Sequence, residues 1–182
     1  MLVWRCKSHN VSLPFSIGTF VKHLPFLLPK PRAFVPRRIK VRTLSTDAIR
    51  NSSHFETLNS RQRDQIHRYV DALLQWNQKM NLTAVTEVEE VMERHIEDSL
   101  VLISPIMKSY TTHCNASIDN VKLVDVGTGP GLPGLVLAIA CPDWKVTLLE
   151  SMNKRCVFLD HAVSVTGVSN VEVVRGRAEG RV

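Results

Sequence analysis

The stretch Val121–Glu150, VKLVDVGTGPGLPGLVLAIACPDWKVTLLE, decides the fold. Val121 to Val126 is β-branched and apolar enough for a buried parallel strand, and Asp125 stands at its end, just before a glycine-rich turn. That turn, Gly127-Thr128-Gly129-Pro130-Gly131-Leu132-Pro133-Gly134, has four glycines in eight residues, more than packing alone requires. Glycine lets the backbone turn tightly and brings N–H groups close to a ligand. Leu135 to Ala140 continues as a helix packed back on the sheet, and Asp143 to Lys145 makes the return turn. Val146 to Leu149 is the second strand, with Glu150 at its carboxyl end, where an acid can accept hydrogen bonds from both hydroxyls of a ribose. The whole is a right-handed βαβ unit built to bind a nucleoside.

Gly129-x-Gly131-x-x-Gly134 also satisfies the dinucleotide fingerprint, which is weak when it stands alone. Three features point elsewhere: the acid Asp125 before the loop, the frame Val-Asp-Val-Gly-x-Gly-x-Gly, and prolines at 130 and 133, where a pyrophosphate would want free N–H donors. A sulfonium nucleoside without phosphate needs no such donors. The frame resembles motif I of class I S-adenosylmethionine-dependent methyltransferases.

Outward from this unit, 182 residues make about one domain, and 44% hydrophobic residues suffice for a core. The net charge of +6 suggests a nucleic-acid binder, yet residues 1–46 hold nine of the 23 Lys and Arg and no Asp or Glu. The other 136 residues carry 14 basic and 17 acidic groups, a net of −3, so the basicity belongs to the leader. Residues 1–46, with five of the nine prolines and the run Pro36-Arg37-Arg38-Ile39-Lys40-Val41-Arg42, read as an organellar transit peptide or disordered leader, for a plastid ahead of a mitochondrion. Val11 to Leu28 is broken by Pro14, Lys22, His23 and Pro25, too short for a membrane span and wrong for a secretory signal. Cys6, Cys114, Cys141 and Cys156 have no metal-ligand spacing, which predicts reduced thiols and no metal.

Residues 58–103 form a helical segment. Ile66, Tyr69, Val70, Leu73, Leu74 and Met80 recur at helical spacing over Ser60 to Met80, with Asn59 or Ser60 as cap. Asn81-Leu82-Thr83 ends that helix, and Thr86 with Glu89 reads as a capping box opening a second one to about Ile103. On it Arg94, His95 and Asp98 share a turn, and His95 and Asp98 can touch; on spacing alone they suit a solvated, salt-bridged face. Residues 104–120 read as a polar linker, and 121–182 as the first half of a Rossmann-like domain. Ser151 can cap a third helix, through about Val165, that carries Lys154 and Arg155 in its first turn and stops at Gly167. Cations there oppose the helix dipole, and an anionic partner such as an RNA backbone would explain them. Asn170 to Val174 is the third strand, and Arg175 to Glu179 its exit loop.

Five motifs now stand in order: Leu74-x-Trp76-Asn77 through Asn81-Leu82-Thr83, Arg94-His95-x-x-Asp98-Ser99, Asp125 to Gly134, Ser151-x-x-Lys154-Arg155-x-x-Phe158-Leu159, and Arg177-Ala178-Glu179. Together they resemble the RsmG (GidB) family of small-subunit (16S) ribosomal RNA guanine-N7 methyltransferases. The resemblance covers about Leu58 to Glu179. It implies an α/β class I methyltransferase fold behind an N-terminal helical segment, with S-adenosyl-L-methionine as cofactor. Asp125, Gly127, Gly129, Gly131 and Leu132 would line the cofactor, Glu150 would hold its ribose, and Ala178 and Glu179 would border its adenine. Asn81, Arg94, His95, Asp98, Lys154 and Arg155 would face the RNA, and the complete enzyme would be a monomer without metal. Guanine N7 carries an in-plane lone pair and no proton, so no general base is required and no catalytic residue is named.

The family's sheet resembles seven strands in the order 3-2-1-4-5-7-6, of which this sequence supplies strands 1 to 3. Strand 1 would then leave an open, aggregation-prone edge, as in a C-terminally truncated enzyme. A nicotinamide-dependent oxidoreductase and a non-catalytic nucleoside- or RNA-binding fragment are the alternatives from other classes.

Overall fold

The computed structural model describes residues 1–5, 12–15, 53–114 and 120–178. Most of the leader, Glu179 and the last three residues therefore lie outside the described residues. Five strands make one sheet in the order β2-β1-β3-β4-β5: β1 (Leu2–Arg5), β2 (Ser12–Phe15), β3 (Lys122–Val126), β4 (Lys145–Glu150) and β5 (Val171–Arg175). The parallel trio β3-β4-β5 is the predicted βαβαβ unit, registered with Leu123 beside Val146 and Val146 beside Val171. Burial alternates along β3 and β4. Leu123, Asp125, Val146, Leu148 and Glu150 are buried on one face, while Val124, Val126, Thr147 and Leu149 are half-buried on the other.

The edge expected to stand open is paired. β1 runs antiparallel to β3, with Leu2 opposite Asp125 and Trp4 opposite Leu123, and β2 continues the sheet beyond it. Leu2 is fully buried, and the Met1 amino group donates to Val126 O at 2.8 Å. An unpaired edge strand carries a row of open donors and acceptors, and a short apolar segment satisfies them.

Among the described residues six α-helices accompany this sheet: α1 (Ser60–Met80), α2 (Val88–Val91), α3 (Asp98–Val101), α4 (Ile103–Cys114), α5 (Gly134–Ala140) and α6 (Asn153–Thr166). A π-helical turn, Met92–Glu97, joins α2 to α3. α1 opens with a true capping box: Asn59 accepts from the Gln62 N–H and Gln62 accepts from the Asn59 N–H. Its buried face, Ile66, Tyr69, Val70 and Leu73, lies on α5 and α6. α5 is buried from Gly134 to Ile139, packed by β3 and β4 and by α1 and α3. α6 ends at Gly167 in the left-handed region, φ 65°.

Three local expectations are corrected. The box at Thr86 and Glu89 does not form, because the helix starts one residue later, behind Glu87, and Glu90 in the third position pairs with Arg94 instead. Ser151 does not cap α6: Met152 takes that place, and the Glu150 carboxylate accepts the Met152 N–H at 2.8 Å. The supposed linker 104–120 is helical through Cys114, since Ile106, Tyr110 and Cys114 recur every four residues and bury as one stripe beneath the polar ones.

Candidate functional site

Asp125 and Glu150 end neighbouring parallel strands and hold the glycine loop from two sides. Asp125 is buried, and its Oδ2 accepts from Thr128 Oγ1 at 2.7 Å and from the Gly134 N–H at 3.0 Å. Burial pushes its carboxyl above the ordinary range, and the bonds from Thr128 and Gly134 oppose that shift. Glu150, also buried, accepts from the Gly129 N–H at 3.0 Å through Oε2 and from Met152 through Oε1. The Arg155 guanidinium stands 3.7 Å from Glu150 Oε2.

The loop needs its glycines for two different reasons. Gly129 and Gly131 have φ of 61° and 100°, where a side chain is strained. At Gly134 the reason is space: a Cβ would lie 2.5 Å from Leu148 Cδ2 and 2.8 Å from Asp125 Oδ2.

The loop's N–H groups are all engaged within the protein or missing. Gly127 and Thr128 donate to Leu149 O, Gly131 and Leu132 donate to Thr128 O, and Gly129 and Gly134 donate to the two carboxylates. Pro130 and Pro133 have no N–H to give. The fingerprint that would cradle a pyrophosphate therefore offers it no donor. A phosphate-free nucleoside meets no such mismatch.

Beside the loop, at the carboxyl ends of the parallel strands, a cleft of about 310 Å³ is lined by Val126, Gly127, Leu149, Ser151, Gly176, Arg177 and Ala178. Such a crevice is where open α/β sheets bind ligands. Of the sequence-predicted cofactor residues, Gly127 and Ala178 line it directly. Asp125, Gly129, Gly131 and Glu150 are buried in the loop's framework, Leu132 is half-buried, and Glu179 lies outside the described residues. Among the described residues no group of His, Cys, Asp or Glu is placed to share a metal ion.

Residues 62–181 match the family model of GidB, rRNA small subunit methyltransferase G. The chain belongs to the RsmG (GidB) family. Ribosomal RNA small subunit methyltransferase G of Lachnoclostridium phytofermentans is 44% identical over 122 residues, covering 67% of this chain and 47% of that protein. The protein of the same name from Alkaliphilus metalliredigens is 45% identical over 123 residues, covering 67% and 47%, and that from Streptococcus pyogenes is 38% identical over 138 residues, covering 76% and 52%. The chain thus spans about half the length of the curated relatives it matches. Its α/β architecture is the class I methyltransferase fold of the family.

Away from the loop, Asn77, Thr83 and His95 form a second hydrogen-bonded centre. Asn77 is buried after the last apolar turn of α1, where it accepts from the Thr83 N–H at 2.9 Å and donates to Val85 O at 3.3 Å. Thr83 Oγ1 then bonds His95 Nε2 at 2.8 Å. Asn77, Thr83 and His95 therefore lock the turn after α1 onto the π-helical turn, a local form frequent at functional sites. Asn81 is exposed at that turn in the left-handed region, φ 49°, and Arg94, exposed, pairs with Glu90 at 2.8 Å. Asp98 is exposed at the start of α3, and none of these residues lines the cleft. Lys154 is exposed in the first turn of α6, whereas Arg155 is half-buried against Glu150 rather than turned wholly outward.

Sequence reasoning missed Val126, Leu149 and Ser151 as lining residues. It also missed three polar side chains of α1 that reach into the Rossmann-like unit. Gln62 Nε2 donates to Ile139 O at 3.0 Å and Ala140 O at 2.9 Å, Gln65 Nε2 to Thr166 O at 2.9 Å, and Tyr69 OH to Pro130 O at 2.9 Å. The signal was available: Gln65 interrupts an apolar stripe, at one-turn spacing from Gln62 and Tyr69.

Proposed function

We propose that this chain binds S-adenosyl-L-methionine in the cleft at the ends of β3, β4 and β5, as the cofactor-binding part of a methyltransferase acting on guanine N7 in small-subunit ribosomal RNA. The observation that carries this reading is the closed set of N–H groups in the Gly127 to Gly134 loop, which suits a nucleoside without phosphates and disfavours a nicotinamide dinucleotide. Family membership and the names of the relatives support the same reaction. Glu150 keeps room for a ribose hydroxyl: a carboxylate has about four acceptor sites, and the Gly129 and Met152 N–H groups and the Ser151 hydroxyl, at 3.4 Å, take three. Gly127, Leu149 and Ser151 on one side and Gly176 to Ala178 on the other would enclose the adenosine. Bound there, the sulfonium supplies an electrophilic methyl group, which guanine N7 can accept with its lone pair and no general base. What remains for the protein is to hold the reacting atoms in line at about 3 Å. Asn81, Arg94, His95, Asp98, Lys154 and Arg155 are the proposed RNA side.

The acid-free basic leader supports delivery to an organelle, a plastid ahead of a mitochondrion. Cleavage near Thr46 would remove β1 and β2 and reopen the β3 edge. The test compares the full chain with residues 47–182 by calorimetry with S-adenosylmethionine, by size exclusion, and by methyl transfer to undermethylated small-subunit RNA. The full chain is expected to bind the cofactor and the shortened one to aggregate. A full chain that binds NADH and not S-adenosylmethionine would overturn the reading.

A further inference from the structure

Tyr69 is fully buried on α1, and its hydroxyl donates to Pro130 O at 2.9 Å, at the apex of the glycine loop. That carbonyl lies between Gly129 and Gly131, the two residues with φ of 61° and 100°. Asp125 and Glu150 grip the loop at Thr128, Gly134 and Gly129, all through its hydroxyl and N–H groups. Tyr69 supplies the missing third hold, on a carbonyl and from an element outside the βαβ unit. We propose that Tyr69 is a positioning residue for the cofactor: its hydrogen bond fixes the apex of the loop, and through it the set of the cleft wall at Gly127. The inference rests on the cofactor reading given above. Burial, and then the nearby Asp125 carboxylate, push the Tyr69 phenol well above its ordinary range, so it remains a donor at any working pH. Gln65, one turn earlier on the same buried face, makes the same kind of bond to Thr166 O at the far end of α6. It supplies the internal comparison, because losing its bond costs the fold a similar amount without touching the loop.

The experiment uses the full chain with Tyr69→Phe and Gln65→Leu, measuring thermal midpoint, S-adenosylmethionine affinity by calorimetry, and amide hydrogen exchange across 127–134. Both variants are expected to lose a few degrees of midpoint. Tyr69→Phe alone should raise the dissociation constant by about three- to tenfold, the worth of one hydrogen bond, and speed exchange across the loop. An unchanged affinity and unchanged loop exchange in Tyr69→Phe would overturn the proposal, as would an equal rise of both in Gln65→Leu. A wild-type chain that does not bind S-adenosylmethionine would sink the cofactor reading, while the exchange data would still decide whether Tyr69 holds the loop. Should Tyr69→Phe fail to fold, Tyr69→Trp, which restores a donor on an aromatic side chain, takes its place: slower loop exchange than in Tyr69→Leu supports the proposal, and equal exchange overturns it.

Discussion

The glycine loop is held by two sets of contacts that differ in reach. Those from Asp125 and Glu150 cross 3, 9 and 21 residues of chain, whereas α1 reaches it through Tyr69 across 61 residues and reaches the ends of α5 and α6 across 77, 78 and 101. The short set belongs to one βαβ unit and shapes the loop from within. The long set places that unit against the helical segment. If the two sets divide the labour in this way, disturbing the first should remove the site, and disturbing the second should cost stability and reach the site only through Tyr69.

The largest effect is expected at Gly134→Ala. The added methyl would meet Leu148 Cδ2 and the Asp125 carboxylate, an overpacking cost of about 3 kcal/mol, and it would displace the acceptor that holds Thr128. Chemical denaturation should register the loss together with cofactor binding; a variant of wild-type stability would mean that the loop relaxes more freely than its contacts imply. Next comes Asp125→Ala, which orphans the Gly134 N–H and the Thr128 hydroxyl. Since burial already disfavours the carboxylate, the expected loss is about 2 kcal/mol. Glu150→Ala should weaken S-adenosylmethionine by roughly 1.5–3 kcal/mol, the worth of a charge-assisted hydrogen bond. An unchanged calorimetric constant would move the ribose contact to another residue.

On the α1 side, Gln62→Leu removes the donor shared by Ile139 O and Ala140 O and the capping-box acceptor of the Asn59 N–H, and should cost about 1.5 kcal/mol of stability, with cofactor affinity unaltered. A change in affinity would break the division, because Gln62 acts on the end of α5 away from the loop.

The smallest effect is in pH dependence, where the two regions should respond with opposite sign. Burial acts to raise Glu97, but hydrogen bonds from the Ser53 hydroxyl and from the Phe55 and His54 N–H groups hold it below the ordinary carboxylate range. Its contribution is present above the unfolded value and is lost as pH falls through the depressed folded one. Asp125, raised by burial, favours the folded state when protonated, and that contribution disappears as pH rises through its folded value. Thermal midpoints from neutral pH into the carboxylate range should therefore show Glu97→Gln flattening the acid limb and Asp125→Asn leaving it steep. The reverse pattern would reassign which carboxylate governs acid stability.

These distances along the chain also explain what could be read in the sequence. The strand, loop, helix and strand from 121 to 150 were legible because alternation, glycines and two terminal acids are a local code. The span of α1 was legible for the same reason, and its cap was narrowed to Asn59 or Ser60, of which the helix uses Asn59. The pairing of Leu2 with Asp125 was not legible, since three apolar residues, Leu2 to Trp4, in a basic leader carry no signal of the edge they cover. Nor was the engagement of Glu150 with the Gly129 N–H: an acid at a strand end suggests a ribose, and only the folded loop shows that it also shapes the site. The failed capping box at Thr86 and the failed cap at Ser151 share one cause, a neighbouring acid that took the helix end or the N–H first.

The central claim is that this loop serves a nucleoside without phosphates. Calorimetric titration of the full chain with S-adenosylmethionine, and separately with NADH, tests it most directly. Saturable one-to-one binding of S-adenosylmethionine with no heat from NADH is the predicted result; binding of NADH, or competition by NADH for the same site, would contradict it.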